Sequence, residues 1–283
     1  MSLGTDEKAA IQIISKALDQ GMIHIDTADL YDFGKNESII GHFLKHHRKQ
    51  VVLTTKVGNH FNSKTKDWFW DPSKRHIISA VHDSLARLQT DYIDLYLLHG
   101  GTVDDPIDNS IEAFEQLKQA GTIRAYGISS IRLNVIKEYM KRSNIDAVMM
   151  QYNMLDRRPE ELLNDLYEQQ ISVLARGPLA KGMLSSKALH YAANKGENGF
   201  LAYTATELQS TLTKLLALGV PLEQLAFQYV LHHPAVISAV FGASNETQLM
   251  ENSQYLHADT ISNELYKEIQ HITKSSTYTM HRL

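Results

Sequence analysis

The chain of 283 residues contains no cysteine, so disulfides, thiolate metal centres and a cysteine nucleophile are excluded. A thiol-free chain fits a reducing compartment, and a cytoplasmic protein is expected. No 18 apolar residues follow one another, and the N-terminus MSLGTDEKAA has neither a basic start nor an apolar stretch. Neither a membrane-spanning helix nor a secretory signal is therefore read in it. An excess of positive charge is also missing: 28 basic against 32 acidic residues give a net charge of -4, with no basic block, so nucleic acid is not an expected partner. There is no GxGxxG fingerprint and hence no sign of a Rossmann dinucleotide site. No internal repeat, low-complexity segment or Pro/Gly/Ser linker divides the chain, although its length alone leaves one or two domains open.

What is present is alternation. MIHID, VVLTTK, YIDLYLLH, IRAYGIS, DAVMMQY, ISVLAR and VISAVFGA are short runs rich in Val, Ile and Tyr that read as seven buried strands. Between them Asp6 to Gln20, Glu37 to His46, Ser73 to Leu88, Asp108 to Ala120, Leu133 to Arg142 and Pro159 to Gln169 space their apolar residues by three and four, as helices do. Thr5 or Asp6 can cap the first and Gly21 follow it, Asp71-Pro72-Ser73 opens the third, and Gly121 closes the fourth. Alternating βαβα units with apolar strands predict a parallel sheet covered by helices, either doubly wound or closed into a (β/α)8 TIM barrel.

Polar residues decide between the two. Asp26, Thr27 and Asp29, Lys56, His99, Ser129 and Ser130, Gln151 and Asn153, and Arg176 each follow a different strand. Polar groups at the C-terminal ends of nearly every strand converge at a barrel mouth, whereas an open sheet gathers them at one switch point. A barrel needs an eighth strand, which would have to lie in MSLGT; strand one and the N-terminal hairpin are thus expected to be short or missing in this chain. The stretch from Gly177 to about Tyr203 is expected to be a long irregular loop, of the kind that serves as a lid.

Asp26, Tyr31, Lys56 and His99 are four titratable groups from three consecutive units that a barrel would send to one mouth. A lysine beside an aspartate stays charged, and an ammonium beside a phenol favours the phenoxide, giving a group able to give or take a proton near neutral pH. A histidine next to them could orient a carbonyl oxygen or share the proton.

IDTADLY-x2-G-x-NE, LTTKVG, SLARLQTDYIDLYLLHG, GTIRAYGISS, MMQYNMLDRR, VLARGPLAKGMLS and HPAVISAVFGASNETQLMEN occur in order from Gly4 to Asn252 and resemble the aldo-keto reductases. The similarity is greatest to the bacterial branch related to potassium-channel β-subunits, notably at WFWDPSK and HGGTVDDPID. The resemblance implies a single barrel domain over residues 1–283 that reduces an aldehyde or ketone with a nicotinamide cofactor. By the same resemblance Asp26, Tyr31, Lys56 and His99 form the catalytic tetrad. Tyr31 would protonate the carbonyl oxygen, Lys56 paired with Asp26 would tune it, and His99 would hold the oxygen.

Cofactor positions also carry over. Ser129 and Gln151 match the carboxamide contacts of the nicotinamide, Ser130 stands where many members have asparagine, and Arg176 stands where most have a stacking aromatic. Gly177, Leu179, Lys181 and Gly182 match the loop over the pyrophosphate, and Gly4 and Thr5 a further cofactor contact. Ser244 and Gln248 match the 2′-phosphate site, and Glu251 and Asn252 the adenine site. Gly242 and Gln248 replace the cations many relatives use there. The channel-related branch shares this Ser and Gln, so NADPH is expected, with NADH second.

Trp68-Phe69-Trp70 follows the Lys56 strand as a loop in which three aromatics cannot all face one core, so Trp68 and Trp70 are candidates for the substrate mouth or an oligomer contact. The adjacent pairs His46-His47 and His232-His233 point about 100° apart on a helix and cannot chelate, and no metal centre is expected. The main alternative from another class is a nucleotide-binding regulatory subunit with little turnover; a third is a lyase or hydrolase using Lys56 as a Schiff base.

Overall fold

All seven expected strands form. In the computed structural model, which describes residues 6–255, 258–275 and 277–278, they are β1 (His24–Asp26), β2 (Val52–Val57), β5 (Ile93–Leu98), β6 (Ile123–Ser129), β7 (Ala147–Gln151), β8 (Ser172–Arg176) and β9 (Val236–Val240). Two more strands, β3 (Asn59–Phe61) and β4 (Trp68–Trp70), occupy the segment read as a loop. The helices are α1 (Glu7–Asp19), α2 (Lys35–His47), α3 (Lys74–Leu88), α4 (Ile107–Gln119), α5 (Leu133–Arg142), α6 (Glu160–Glu168), α7 (Ala188–Lys195), α8 (Ala205–Leu216), α9 (Leu222–Leu231), α10 (Glu246–Ser253) and α11 (Asn263–Ile272). Among the described residues no helix is long and apolar enough to cross a membrane.

The described residues divide into two packed units, the first holding those up to Val148 with Gly242–Ser253, the second Met149–Phe241 with those between Gln254 and Tyr278. In the first, β1, β2, β5 and β6 pair in chain order and in parallel, with Asp26 beside Thr54 and Lys56 beside Leu97. Each connection carries a helix. Asp6 caps α1 by accepting the Ala9 N–H at 3.1 Å, and Ser73 caps α3 through the His76 N–H at 3.2 Å. Ile14 of α1, Ile40, Phe43 and Leu44 of α2, Leu53 of β2 and Leu88 of α3 join Val51 in one buried cluster. Each such side chain contributes about 1.5–3 kcal/mol by leaving water, so the cluster seats the two strands that carry Asp26 and Lys56.

The WFW segment is an antiparallel hairpin, with His60 opposite Phe69 and Phe61 opposite Trp68. Trp68 and Phe69 remain 56% and 58% exposed, because a two-stranded ribbon has an open face for them; Trp70 turns inward. The aromatic side chains stabilise the ribbon by cross-strand contact, such as the imidazole of His60 stacked on Phe69 at 4.8 Å.

In the second unit β8 and β9 pair in parallel, and β7 continues from the boundary into it. The segment from Gly177 is not one irregular loop: it contains a single 3-10 turn, Ala180–Gly182, and α7. ALHYAANK supplies three alanines, and Ala188 and Ala192, four apart, bury one face. A capping box between Thr204 and Glu207 then starts α8.

Candidate active site

Lys56 is the most deeply buried cation among the described residues of the first unit. Only 1% exposed on β2, it donates from Nζ to Asp26 Oδ1 at 2.6 Å and to the Thr27 carbonyl at 2.7 Å. An ammonium at this depth is stable only when paired and hydrogen-bonded, and the parallel pairing of β1 with β2 supplies both partners. Its Nζ lies 5.1 Å from the centre of the Tyr31 ring, and the His99 ring meets Tyr31 edge-on at 5.7 Å and 80°. Asp26, Tyr31, Lys56 and His99, picked out along the sequence, thus come together around one point. His99 follows β5, where its N–H donates to the Val57 carbonyl at 2.7 Å.

Tyr31 is delivered by a short, unusual piece of backbone. It opens a 3-10 turn in which Asp32 and Phe33 take φ of 49° and 52°, before Gly34 at 88° hands over to α2. Gly34 is also needed for room, since a methyl there would stand 2.9 Å from Cδ of Arg87.

Residues not singled out as site residues support this arrangement. Asn36 accepts the Thr27 hydroxyl at 2.7 Å, and the fully buried Glu37 accepts the Thr55 hydroxyl at 2.6 Å and the Arg87 guanidinium at 2.7 Å. The G-x-NE motif therefore holds the hydroxyls of Thr27, whose carbonyl meets Lys56, and of Thr55, which precedes it.

The local fields are uneven. Burial, reinforced by Glu37, raises the Asp29 carboxyl well above the usual carboxylate range. Its Oδ2 is enclosed with no hydrogen-bond partner among the described residues, while Oδ1 takes the Leu30 N–H. Burial also depresses His24, with Asp26 opposing and Lys56 adding to the effect, and pushes the Tyr96 hydroxyl well up, helped by Asp29 and Glu37.

Trp70 borders the same strands. Its indole N–H donates to Asp105 Oδ1 at 3.0 Å, and Asp105 Oδ2 accepts the Thr102 N–H at 2.6 Å. The ring lies so close to Gly58 that a methyl there would fall 2.5 Å from it, and it passes over Gly100 as well. Trp70 is thus packed between the residues that follow Lys56 and His99, whereas Trp68 stands out in solvent. Ser129 ends β6 and Ser130 follows it, both buried, and Ser130 Oγ accepts the Arg132 N–H. At α10, the Ser244 hydroxyl and N–H both donate to Gln248 Oε1, at 2.9 and 2.8 Å; Glu251 is exposed and Asn252 buried.

In the second unit, Gln151 donates to Asp156 Oδ2 at 2.9 Å, and Arg176 reaches Gln151 Oε1 at 3.4 Å. Asp156 is fully buried and clasped by both arms of Arg158 at 2.6 and 2.7 Å. Gly177, Lys181 and Gly182 have φ of 68°, 59° and 92°, and Asn153 ties the turn down through the Gly177 carbonyl at 2.9 Å. Leu179 precedes the 3-10 turn. Gly4 and Thr5 lie outside the described residues.

Residues 1–274 match the Aldo/keto reductase family. The chain belongs to that family. It is 50% identical to the uncharacterized oxidoreductase YqkF of Bacillus subtilis over all of this chain and 93% of that protein. It is 30% identical to the NADH-specific methylglyoxal reductase of Escherichia coli, covering 87% and 82% of the two. Among solved structures, the holo form of aldo-keto reductase AKR11C1 from Bacillus halodurans matches with a TM-score of 0.95 and 51% identity over 100% of this chain and 93% of that one. The fold class is therefore the family's (β/α)8 barrel, and this aldo/keto reductase is an NAD(P)H-dependent oxidoreductase acting on carbonyl groups. A nicotinamide cofactor is expected of the family, and within the first unit Asn252 has a buried Nδ2 with no hydrogen-bond partner among the described residues, a donor that a bound polar group would answer.

Proposed function

We propose that the protein reduces aldehydes or ketones to alcohols with NADPH, using Tyr31 as general acid, Lys56 and Asp26 to stabilise its anion, and His99 to hold the carbonyl oxygen. The observation that carries this reading is the buried Lys56–Asp26 pair under the Tyr31 ring, with His99 at the ring's edge. The cofactor supplies the hydride that adds to the carbonyl carbon. The oxygen, gaining charge as that bond forms, takes the phenolic proton of Tyr31. The tyrosinate left behind faces a fixed ammonium, and Asp26 keeps that ammonium charged. Because these groups are placed in advance and shielded, no solvent reorganisation is needed at the moment of transfer.

For cofactor, Ser129 and Gln151 would hold the carboxamide, Arg176 would stack its guanidinium on the ring, and Gly177, Leu179, Lys181 and Gly182 would cover the pyrophosphate. A planar guanidinium stacks on aromatic faces, which supports Arg176 in this role. Glu251 and Asn252 would face the adenine. The preference for NADPH rests on the resemblance at Ser244 and Gln248, which here bond each other at the start of α10 and would turn toward the 2′-phosphate. Trp70 would wall the substrate mouth.

The test is steady-state oxidation of NADPH and NADH with a panel of aliphatic and aromatic aldehydes that includes 4-nitrobenzaldehyde. Tyr31→Phe is expected to lose roughly 10²–10⁴-fold in kcat, the usual worth of a positioned general acid, while keeping cofactor affinity. Wild-type turnover no faster than that of Tyr31→Phe, with cofactor still bound, would instead identify a nucleotide-binding subunit. A kcat/KM higher with NADH would overturn the cofactor preference.

A further inference from the structure

His60, Asp71 and His76 come from β3, the turn after β4 and the first turn of α3, yet each brings a ligand atom within 4.8 Å of the other two. The spacing His60-x10-Asp71-x4-His76 has no periodic signature, because a hairpin rather than a helix face brings the three together. None of them belongs to the proton-transfer group around Lys56.

Each side chain is positioned by its surroundings. The His60 ring lies flat on Phe69, 4.8 Å away and within 11° of parallel, and faces the His76 ring at 5.1 Å. Asp71 Oδ1 accepts the Ser73 N–H at 3.0 Å, which fixes the carboxylate toward the start of α3. His76 stands one turn into that helix, with its N–H held by Ser73 Oγ. Its Nε2 is closed off from solvent and meets no hydrogen-bond partner among the described residues. Such an enclosed, unanswered polar atom is unfavourable, and a coordinated ion would satisfy it.

We propose that His60, Asp71 and His76 bind a divalent transition-metal ion of the zinc class, with water completing its shell. Two imidazoles and one carboxylate suit Zn²⁺, Co²⁺, Ni²⁺ or Cu²⁺, whereas Mg²⁺ and Ca²⁺ take oxygen-only shells. Metal–ligand bonds of about 2.0–2.2 Å set donors roughly 3.3 Å apart in a tetrahedral shell, so the present separations close by small side-chain rotations, easiest for the exposed His60. The ion would tie the β3–β4 hairpin to the first turn of α3. Trp70 in that hairpin packs on Gly58, so the clamp stiffens the wall beside the strand that carries Lys56.

The test is a Zn²⁺ titration in competition with a chromophoric chelator, together with Co²⁺ absorption spectra and thermal melts with and without Zn²⁺. Wild type is expected to bind one ion per chain and to melt higher with Zn²⁺. His60→Ala, at an exposed position and so expected to fold normally, should lose at least about tenfold in affinity and the melting shift. Asp71→Asn should weaken binding as well, while His46→Ala/His47→Ala should leave it unchanged. Binding no tighter than roughly 100 µM in wild type, or undiminished in His60→Ala, would overturn the proposal.

Discussion

Lys56 and Arg176 are both cations at or near the C-terminal ends of parallel strands, yet their surroundings differ in kind. Lys56 is sealed in, with two bonds shorter than 2.8 Å and a second layer of Asn36, Glu37 and Arg87 behind it. Arg176 is exposed and touches Gln151 at 3.4 Å. A buried charge must be matched completely before the fold closes over it, and the matching fixes its geometry. An exposed guanidinium keeps its rotamers and adapts to what arrives. The proposed proton-transfer group is thus rigid before any ligand binds, and the proposed ring contact is adjustable.

Substitutions can break this contrast. The largest effect is expected for Lys56→Met, which leaves the Asp26 carboxylate without its partner. Breaking a buried pair costs about 3–5 kcal/mol, to be read as a lower urea midpoint at unchanged m, with activity falling to the level of Tyr31→Phe. A loss below about 1 kcal/mol, the range of exposed pairs, would show that Lys56 is not the fixed element described. Glu37→Gln is next, at about 2–3 kcal/mol by the same measurement, because Arg87 is only partly buried and solvent screens part of its charge.

Arg176→Ala should leave stability within about 0.5 kcal/mol, as for other exposed positions. It should weaken NADPH binding roughly three- to tenfold, a loss of about 1 kcal/mol, in fluorescence titration. Unchanged binding would remove Arg176 from the proposed cofactor site.

The smallest effect sharpens the rigid side. Asp29 binds its proton more tightly in the folded chain than an unfolded aspartate does. Its contribution to stability is therefore complete below the unfolded value near 3.9 and is lost as pH rises toward the folded value. Asp29→Asn should flatten the decline in melting temperature with rising pH above 4, and an unchanged slope would count against this account.

Much of this was legible in the sequence for a physical reason. Strands buried on both faces and helices with one apolar face leave strong signals, so seven strands and the first six helices stood close to their expected bounds. Asp26, Lys56 and His99 were readable as polar groups at strand ends, which is where parallel pairing brings them together. The β3–β4 hairpin was not readable, since three adjacent aromatics neither alternate nor show which of them turns inward. Helix α7 was obscured by the glycines and serines around it. Glu37 and Arg87, far apart in the chain, make a pair that only the packing of α2 on α3 creates. Tyr31 was readable as a titratable group in the same segment as Asp26, but the backbone turn that places it has no periodicity to announce it.

That turn has a consequence for assembly. Asp32 and Phe33 hold left-handed conformations that cost of order 1–3 kcal/mol each, so the segment has little reason to adopt them alone. It settles once Arg87 of α3 lies against Gly34 and bonds Glu37. The place of Tyr31 therefore depends on a distant element: α3, whose Arg87 lies fifty residues downstream of the Glu37 it meets, must be docked for the turn to be held.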